Sequence, residues 1–344
     1  MFLVARMKFQ DLNSQSYPSI VGLKDVKKQL TSALLLKRNV VLIGPPGMGK
    51  TTLVKDVASI LEPQELNTCG FHCTPENPIC PTCRRKKESG EVIETRKFSG
   101  SELFVRVQGS PDLSVEDLIG DIDPIKAMKY GPLSPEAFTP GKIFKANNGV
   151  LFFDELNRCS QRLQNALLQV LEEKKVTIGS FDLDIGVDFV FIGTMNPEDT
   201  NTEPLSDVLL DRFDLIYVHY PSTQKDEELI VRNRSMNIVD FPDKLFSGMI
   251  KFIRDLRKNP NVEKAPSVRA SIGLFERSQS IAKLNNHKKV NALDIMESLT
   301  SVLAHRIKLK PSLTYTTTPS RFIKEQFKKF CEENEFSLSE SEAP

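Results

Sequence analysis

The sequence predicts an α/β fold built on a parallel sheet, carrying a small cysteine-rich insert and followed by an all-helical unit. Three observations support this. Apolar, β-branched runs recur far apart in the chain, and each ends in polar or glycine-rich residues, as buried parallel strands do. The first of them, Asn39-Val40-Val41-Leu42-Ile43, runs directly into a glycine-rich loop and a helical pattern over 51–61. Beyond residue 222 the apolar spacing changes to three and four residues and stays there.

Composition sets the outer limits. The chain has 344 residues, 40% hydrophobic and 26% charged, ordinary for a globular protein and enough for two domains. A net charge of +1 supplies no global field for nucleic acid or an anionic membrane. No apolar run reaches the length of a membrane span. The opening MFLVARMKFQ is too short and too charged for a secretory signal, and Met7 is a second candidate initiator. The expected location is the cytoplasm.

The loop after the first strand, Gly44-Pro45-Pro46-Gly47-Met48-Gly49-Lys50-Thr51, fits the phosphate-binding pattern G-x-x-x-x-G-K-[S/T]. Its glycines let consecutive N–H groups face a polyphosphate, and the following helix adds the positive end of its dipole. Lys50 is expected at the β- and γ-phosphates and the Thr51 hydroxyl in a Mg²⁺ shell. The expected ligand is therefore a nucleoside triphosphate. The plain alternative is a glycine-rich turn without ligand.

Four of six cysteines fall in the next segment as Cys69-x3-Cys73-x6-Cys80-x2-Cys83, with His72 as a candidate substitute ligand. The Cys80–Cys83 spacing lets two thiolates bind one tetrahedral ion. The surrounding prolines and the run Arg84-Arg85-Lys86-Lys87 offer no hydrophobic core, so a metal is expected to organise the insert. Zn²⁺ is the favoured ion. An iron–sulfur cluster and a set of reduced or redox-active thiols are the alternatives. Cys159 and Cys331 stand apart and read as ordinary thiols.

Farther on, Gly149-Val150-Leu151-Phe152-Phe153 reads as a central strand ending in Asp154-Glu155. Two adjacent carboxylates at a buried strand end are costly unless a cation or a reaction needs them. Asp154 suits Mg²⁺ and Glu155 suits polarisation of an attacking water. The pair on its own also serves as a helix cap. A hairpin is expected around Gly179-Ser180, and a third strand over 189–194 precedes Met195-Asn196-Pro197. Asn196 is placed to bond a γ-phosphate or that water, or else is a turn residue. Arg212, in Leu209-Leu210-Asp211-Arg212-Phe213-Asp214, would by itself more often be a surface ion-pair partner.

Taken in order, these motifs resemble the AAA+ ATPases, within the branch of magnesium-chelatase ATPase subunits, MoxR-type ATPases and minichromosome-maintenance helicases. Walker A is GPPGMGKT, Walker B is LFFDELNR, sensor 1 is GTMNPED, the finger segment is LLDRFDL and sensor 2 is PSVRAS. The resemblance spans roughly residues 18 to 308. It implies a P-loop AAA+ core, ATP at Val21, Gly22, the 44–51 loop and Thr52, and Mg²⁺ at Thr51 and Asp154. It also implies Asn196 as sensor 1, Arg269 as sensor 2, and Arg212 as an arginine finger given to a neighbouring subunit, hence a homo-oligomeric, hexameric ring. The stretch from Val107-Gln108-Gly109 to Thr139-Pro140-Gly141 looks like the second-helix insert of the chelatase subunit, spanning about 115–141. In such rings it faces the pore or a partner, so a chelatase or von Willebrand-type partner protein is expected. MoxR-type chaperones are the second reading. A helicase is the third, disfavoured by the short segment before the loop and the balanced charge.

This gives three regions: an ATPase core over 1–222, with the cysteine insert at 66–88; a helical lid over 223–310; and a basic helix with an acidic, disordered tail over 311–344. Within the lid, Asn291 and Asp294 resemble a capping box.

Overall fold

The computed structural model describes residue 9 and residues 16–131, 134–178, 183–197, 199 and 202–338. Contacts divide the chain into two units, Met1–Pro45 with Gly49–Val218, and Pro46–Met48 with His219–Pro344. The eight helices of ten or more described residues are α1 (Lys24–Leu35), α2 (Lys50–Ser59), α3 (Gln161–Glu173), α4 (Gln224–Arg234), α5 (Asp243–Lys258), α6 (Val268–Leu284), α7 (Ala292–Leu303) and α8 (Pro319–Glu333).

The first unit is built on five parallel strands: β1 (Asn39–Ile43), β2 (Phe104–Gln108), β3 (Val150–Asp154), β4 (Val190–Met195) and β5 (Phe213–Tyr217). Their order across the sheet is β5-β1-β4-β3-β2, with all four neighbouring pairs parallel. The apolar runs of β1, β3 and β4 occupy the three inner positions, where both faces are covered, and they are almost wholly buried. The strand at the β2 edge alternates more: Val107 points into the core while Arg106 and Gln108 are exposed. Parallel register brings the carboxyl ends of β1, β2, β3 and β4 to one edge, where open α/β sheets bind ligands.

Two excursions leave this sheet. The Gln64–Asn67 strand pairs antiparallel with Thr95–Phe98, and the cysteines lie between them with a short helix, Pro81–Glu88. The insert is not the coreless knuckle expected from its composition. Phe71 and three of the cysteines are buried in the main core of the unit, with Phe71 against Phe144 (4.9 Å between ring centres) and Phe138 (6.2 Å). The second excursion is a two-stranded ribbon, Gly120–Ile122 with Phe138–Pro140, carrying a short helix, Pro124–Tyr130. Its base is anchored by Leu118 and Phe138, while Ile125 and Met128 are 80% and 90% exposed. The expected hairpin after α3 has its strands at Lys175–Ile178 and Leu183–Gly186; its turn, 179–182, lies outside the described residues.

The second unit is helical, with a core drawn from α4 to α8. The amphipathic α5 buries Phe246, Met249, Ile250, Phe252, Ile253 and Leu256 along one face, each contributing at most about 1.5–3 kcal/mol by burial. The Asn291/Asp294 capping box opens α7 with both reciprocal bonds formed. The basic helix that the sequence sets apart, α8, joins this core through Phe322, Ile323, Phe327 and Phe330. Its lysines lie on the outer face, as helical periodicity allows. Phe336 stacks on Phe330, so the start of the tail is packed; residues 339–344 lie outside the described residues. No helix among the described residues is long and apolar enough to cross a membrane.

Candidate active site

The phosphate loop turns through Gly47 (φ +82°) and Gly49 (φ +80°), which caps α2. Both occupy the left-handed region that side chains rarely adopt. Gly44 has a different constraint. A Cβ there would stand 2.3 Å from the Val218 carbonyl oxygen, and its N–H donates to Met195 O (3.1 Å), tying the loop to the end of β4. The Lys50 ammonium donates to the Gly44 and Pro45 carbonyls, so it lies over the loop where phosphate oxygens are expected. Thr51 and Thr52 follow in the first turn of α2. Val21 and Gly22 precede α1, and Ile20 lies 3.4 Å from the Cβ position of Gly49. That segment is fixed by Ser19 N–H to Asp56 Oδ2 (3.0 Å) and Lys27 Nζ to Ile20 O (2.7 Å).

The two acids stand at the end of β3 in a shared network. Thr194 Oγ donates to Asp154 Oδ1 (2.6 Å) and accepts from Glu155 N–H (2.9 Å). Arg106 pairs with Asp154 Oδ2 (2.6 Å). Gln108 Nε2 donates to Glu155 Oε2 (2.9 Å), and Arg158 pairs with the same oxygen (3.0 Å). Glu155 itself has φ +58°, an unusual conformation for a residue with a side chain, and is held there from β2, from β4 and by Arg158 in the turn that follows. Asn196 follows β4, and its carbonyl accepts from Asn157 Nδ2 (3.3 Å). Thus the loop, both acids and Asn196 converge on one edge of the sheet.

The sequence assigns no role at this site to Arg106, Gln108, Gly109 or Thr194, although Gln108 and Gly109 open the stretch that resembles the second-helix insert. Their importance follows from register: Gln108 lies opposite Asp154 in the β2–β3 ladder. No local motif reports that. Gly109 donates to Asp154 O at a point where any side chain would collide with Glu155.

Arg212 is elsewhere. It precedes Phe213, which pairs with Asn39 at the start of β1, and it is held by Glu172 (3.0 Å) and Asp211 (3.3 Å). Five residues of strand, about 16 Å, separate its level from the phosphate loop. An extended arginine reaches about 7 Å, so Arg212 does not serve the loop of its own chain. Arg269 lies in the first turn of α6, exposed between buried Val268 and Ala270.

The sulfurs of Cys69, Cys73, Cys80 and Cys83 all lie within 4.8 Å of one another, with no disulfide among them. Backbone amides point at three of them: Cys73 N to Cys69 Sγ, Cys80 N to Cys73 Sγ and Cys83 N to Cys80 Sγ, at 3.3–3.5 Å. Such bonds stabilise thiolates and orient them on an ion. Hydrogen bonds from Cys73 and Cys80 draw the Cys69 thiol down, while the bond to Cys69 pushes Cys73 up to about 12. His72 is not part of this set. Its Nδ1 meets Lys145 O (2.8 Å) and its ring packs edge-on to Phe98, so the substitute-ligand role expected for it is replaced by a structural one. Burial pushes Cys159 and Cys331 up to about 11, which leaves them inert thiols.

A parallel sheet with a phosphate loop after β1 and hydrogen-bonded acids after β3 defines a P-loop ATPase. The chain is an AAA+ ATPase: its residues 92–215 match the "ATPase family associated with various cellular activities (AAA)", 39–89 match an NTPase family and 255–325 match the AAA lid domain. It is similar to a magnesium-chelatase subunit ChlI homolog of Methanocaldococcus jannaschii, 28% identical with 86% of each chain covered. It is also similar to the chaperone MoxR1 of Mycobacterium tuberculosis, 26% identical over 84% of this chain and 73% of the relative. In fold it resembles a crystal structure of NtrX from Brucella abortus in complex with ADP, with a TM-score of 0.52, 15% identity, and coverage of 92% of this chain and 63% of the other.

Proposed function

We propose that the chain is a ring-forming ATP-driven motor of the magnesium-chelatase type, which couples hydrolysis to the remodelling of a partner subunit. The observation that carries this reading is the placement of Arg212 at the opposite edge of the sheet from its own phosphate loop. A site of this kind is completed by a neighbour, which makes assembly a chemical requirement. Within one chain, the loop amides and Lys50 would hold the triphosphate, and Thr51 and Asp154 the Mg²⁺, which neutralises charge on the transferring phosphoryl group. Glu155 takes the proton of the attacking water, and Gln108 and Arg158 fix where its carboxylate points. Asn196 orients the water, and Arg269 senses the γ-phosphate.

The remaining features support work on a partner. Ile125 and Met128 sit exposed on the 124–130 helix, beyond what a surface helix requires. Four sulfurs within 4.8 Å suit a single tetrahedral Zn²⁺ better than an iron–sulfur cluster, which spreads its thiolates over separate irons. The similarity to MoxR1 favours a second reading, a chaperone ATPase.

Mixing tests the motor. Arg212→Ala and Glu155→Gln are each expected to be inactive, and their mixture to recover turnover at interfaces that pair an intact Glu155 with an intact Arg212. No recovery at any ratio refutes the shared site. Capture of partners by ATP-loaded Glu155→Gln protein then separates the two readings: a tetrapyrrole-binding subunit supports the chelatase, and a von Willebrand-type protein alone supports the chaperone.

A further inference from the structure

The helical unit contains a buried charge cluster that the site just described does not use. Glu227, on α4, is 0% exposed. Its two oxygens take four hydrogen bonds: from Arg257 Nη1 (2.6 Å) and Nη2 (2.7 Å), from Arg254 Nη1 (3.3 Å), and from Ser271 Oγ (2.6 Å). Burial pushes this carboxyl up, but the bonds and charge of Arg257 outweigh it and hold it below the usual glutamate range. Arg257 is itself 9% exposed on its side chain. Its Nε donates to Pro266 O (2.8 Å), and its guanidinium lies over the Tyr220 ring at 4.7 Å. Arg254 donates to the carbonyls of Pro221, Ser222 and Thr223.

These bonds converge on one place. Pro266 and Ser271 bracket the first turn of α6, and Arg269 lies between them. Residues 220–223 are the first stretch of the helical unit after the chain enters it at His219. Apolar packing of similar volume would stabilise the unit at least as well as a buried ion pair. What a bidentate fork adds is direction, because both partners are fixed in rotation as well as distance.

We propose that Glu227, through Arg257 and Ser271, is a positioning residue for Arg269: it locks the entry segment 220–223 and the first turn of α6 into one piece, so that Arg269 is presented at a fixed angle. The proposal rests on the reading of Arg269 as the γ-phosphate sensor.

The test is a double-mutant cycle on the full chain, measuring steady-state ATPase. Glu227→Gln and Arg257→Lys keep the side-chain size but weaken the fork, and each is made in the parent and in Arg269→Ala. In the parent background each is expected to lower kcat about tenfold or more, since small misplacements of a charge at a reacting centre are costly, with a smaller change in KM. In the Arg269→Ala background the same substitutions are expected to change kcat by less than about twofold, the signature of coupled residues. Equal losses in both backgrounds overturn the proposal and make the cluster a stability feature only, as does an unchanged kcat in the parent. If Arg269→Ala alone leaves kcat unchanged, the sensor reading falls and the proposal with it. Melting temperatures check folding, and Ser271→Ala carries the same test should Glu227→Gln not fold.

Discussion

Replacing Gly109 by alanine tests how closely Glu155, the acid proposed to polarise the attacking water, must be held. A Cβ at this position would stand 2.1 Å from Glu155 O, 2.8 Å from Glu155 C and 3.0 Å from Asp154 O. All three are backbone atoms, so no side chain can swing aside. Gly109 is also absent from the left-handed residues, so alanine is refused for want of space rather than for strain in φ. Restoring an ordinary carbon–oxygen contact of about 3.3 Å requires the Glu155–Leu156 peptide and the end of β2 to part by about 1.2 Å. That movement also strains the Gly109 N–H to Asp154 O bond and the Gln108 bond to Glu155. Overpacking of this kind costs about 1–3 kcal/mol, less than the stability of a typical domain, so the chain stays folded. Misplacing a catalytic group by about 1 Å costs about a hundredfold. The expected result is kcat lowered by about two orders of magnitude, read by phosphate release. Nucleotide affinity, read by titration with a fluorescent ATP analogue, should change little because the loop at 44–51 is untouched. A kcat near that of the parent would refute the argument that this turn sets the position of Glu155.

Two further outcomes are expected. Lys50→Ala removes the ammonium that lies over the loop carbonyls and should abolish ATP binding; retained tight binding would sink the assignment of the loop. The purified protein should carry about one zinc per chain, measured by elemental analysis. A strong chelator or Cys83→Ser should release it and lower the melting temperature, because the cysteine segment packs into the main core through Phe71; iron in place of zinc, or no metal with unchanged stability, would refute the single-ion reading.

Much of the site is legible because its chemistry is local in sequence. A phosphate loop needs its glycines and lysine within eight residues, and paired acids at a strand end are adjacent by definition. The apolar runs of β1, β3 and β4 are readable because strands buried on both faces lose the polar alternation of an edge. The β2 edge strand keeps that alternation, and with it Arg106 and Gln108 escape a reading by motif. The cysteine insert is misjudged for a related reason. Its own composition is polar and proline-rich, and its apolar anchor, Phe71, finds partners in Phe138 and Phe144 more than sixty residues away.

The sequence by itself carries the capacities proposed for this protein: for a triphosphate at Gly44–Thr51, a divalent ion beside Asp154 and Glu155, and a tetrahedral metal at four closely spaced thiols. Those capacities reside in residue types at short fixed spacings, which local chain geometry alone brings together. Only the tertiary structure decides how the groups are aimed. Strand register sets Gln108 opposite Asp154 and within reach of Glu155, puts Arg212 a full strand length from its own loop, and excludes any side chain at Gly109. Helix packing gathers Glu227, Arg254, Arg257 and Ser271 around the turn that carries Arg269. Each of these depends on contacts between distant segments, whose energies favour one register and one packing over the many that the same local patterns permit.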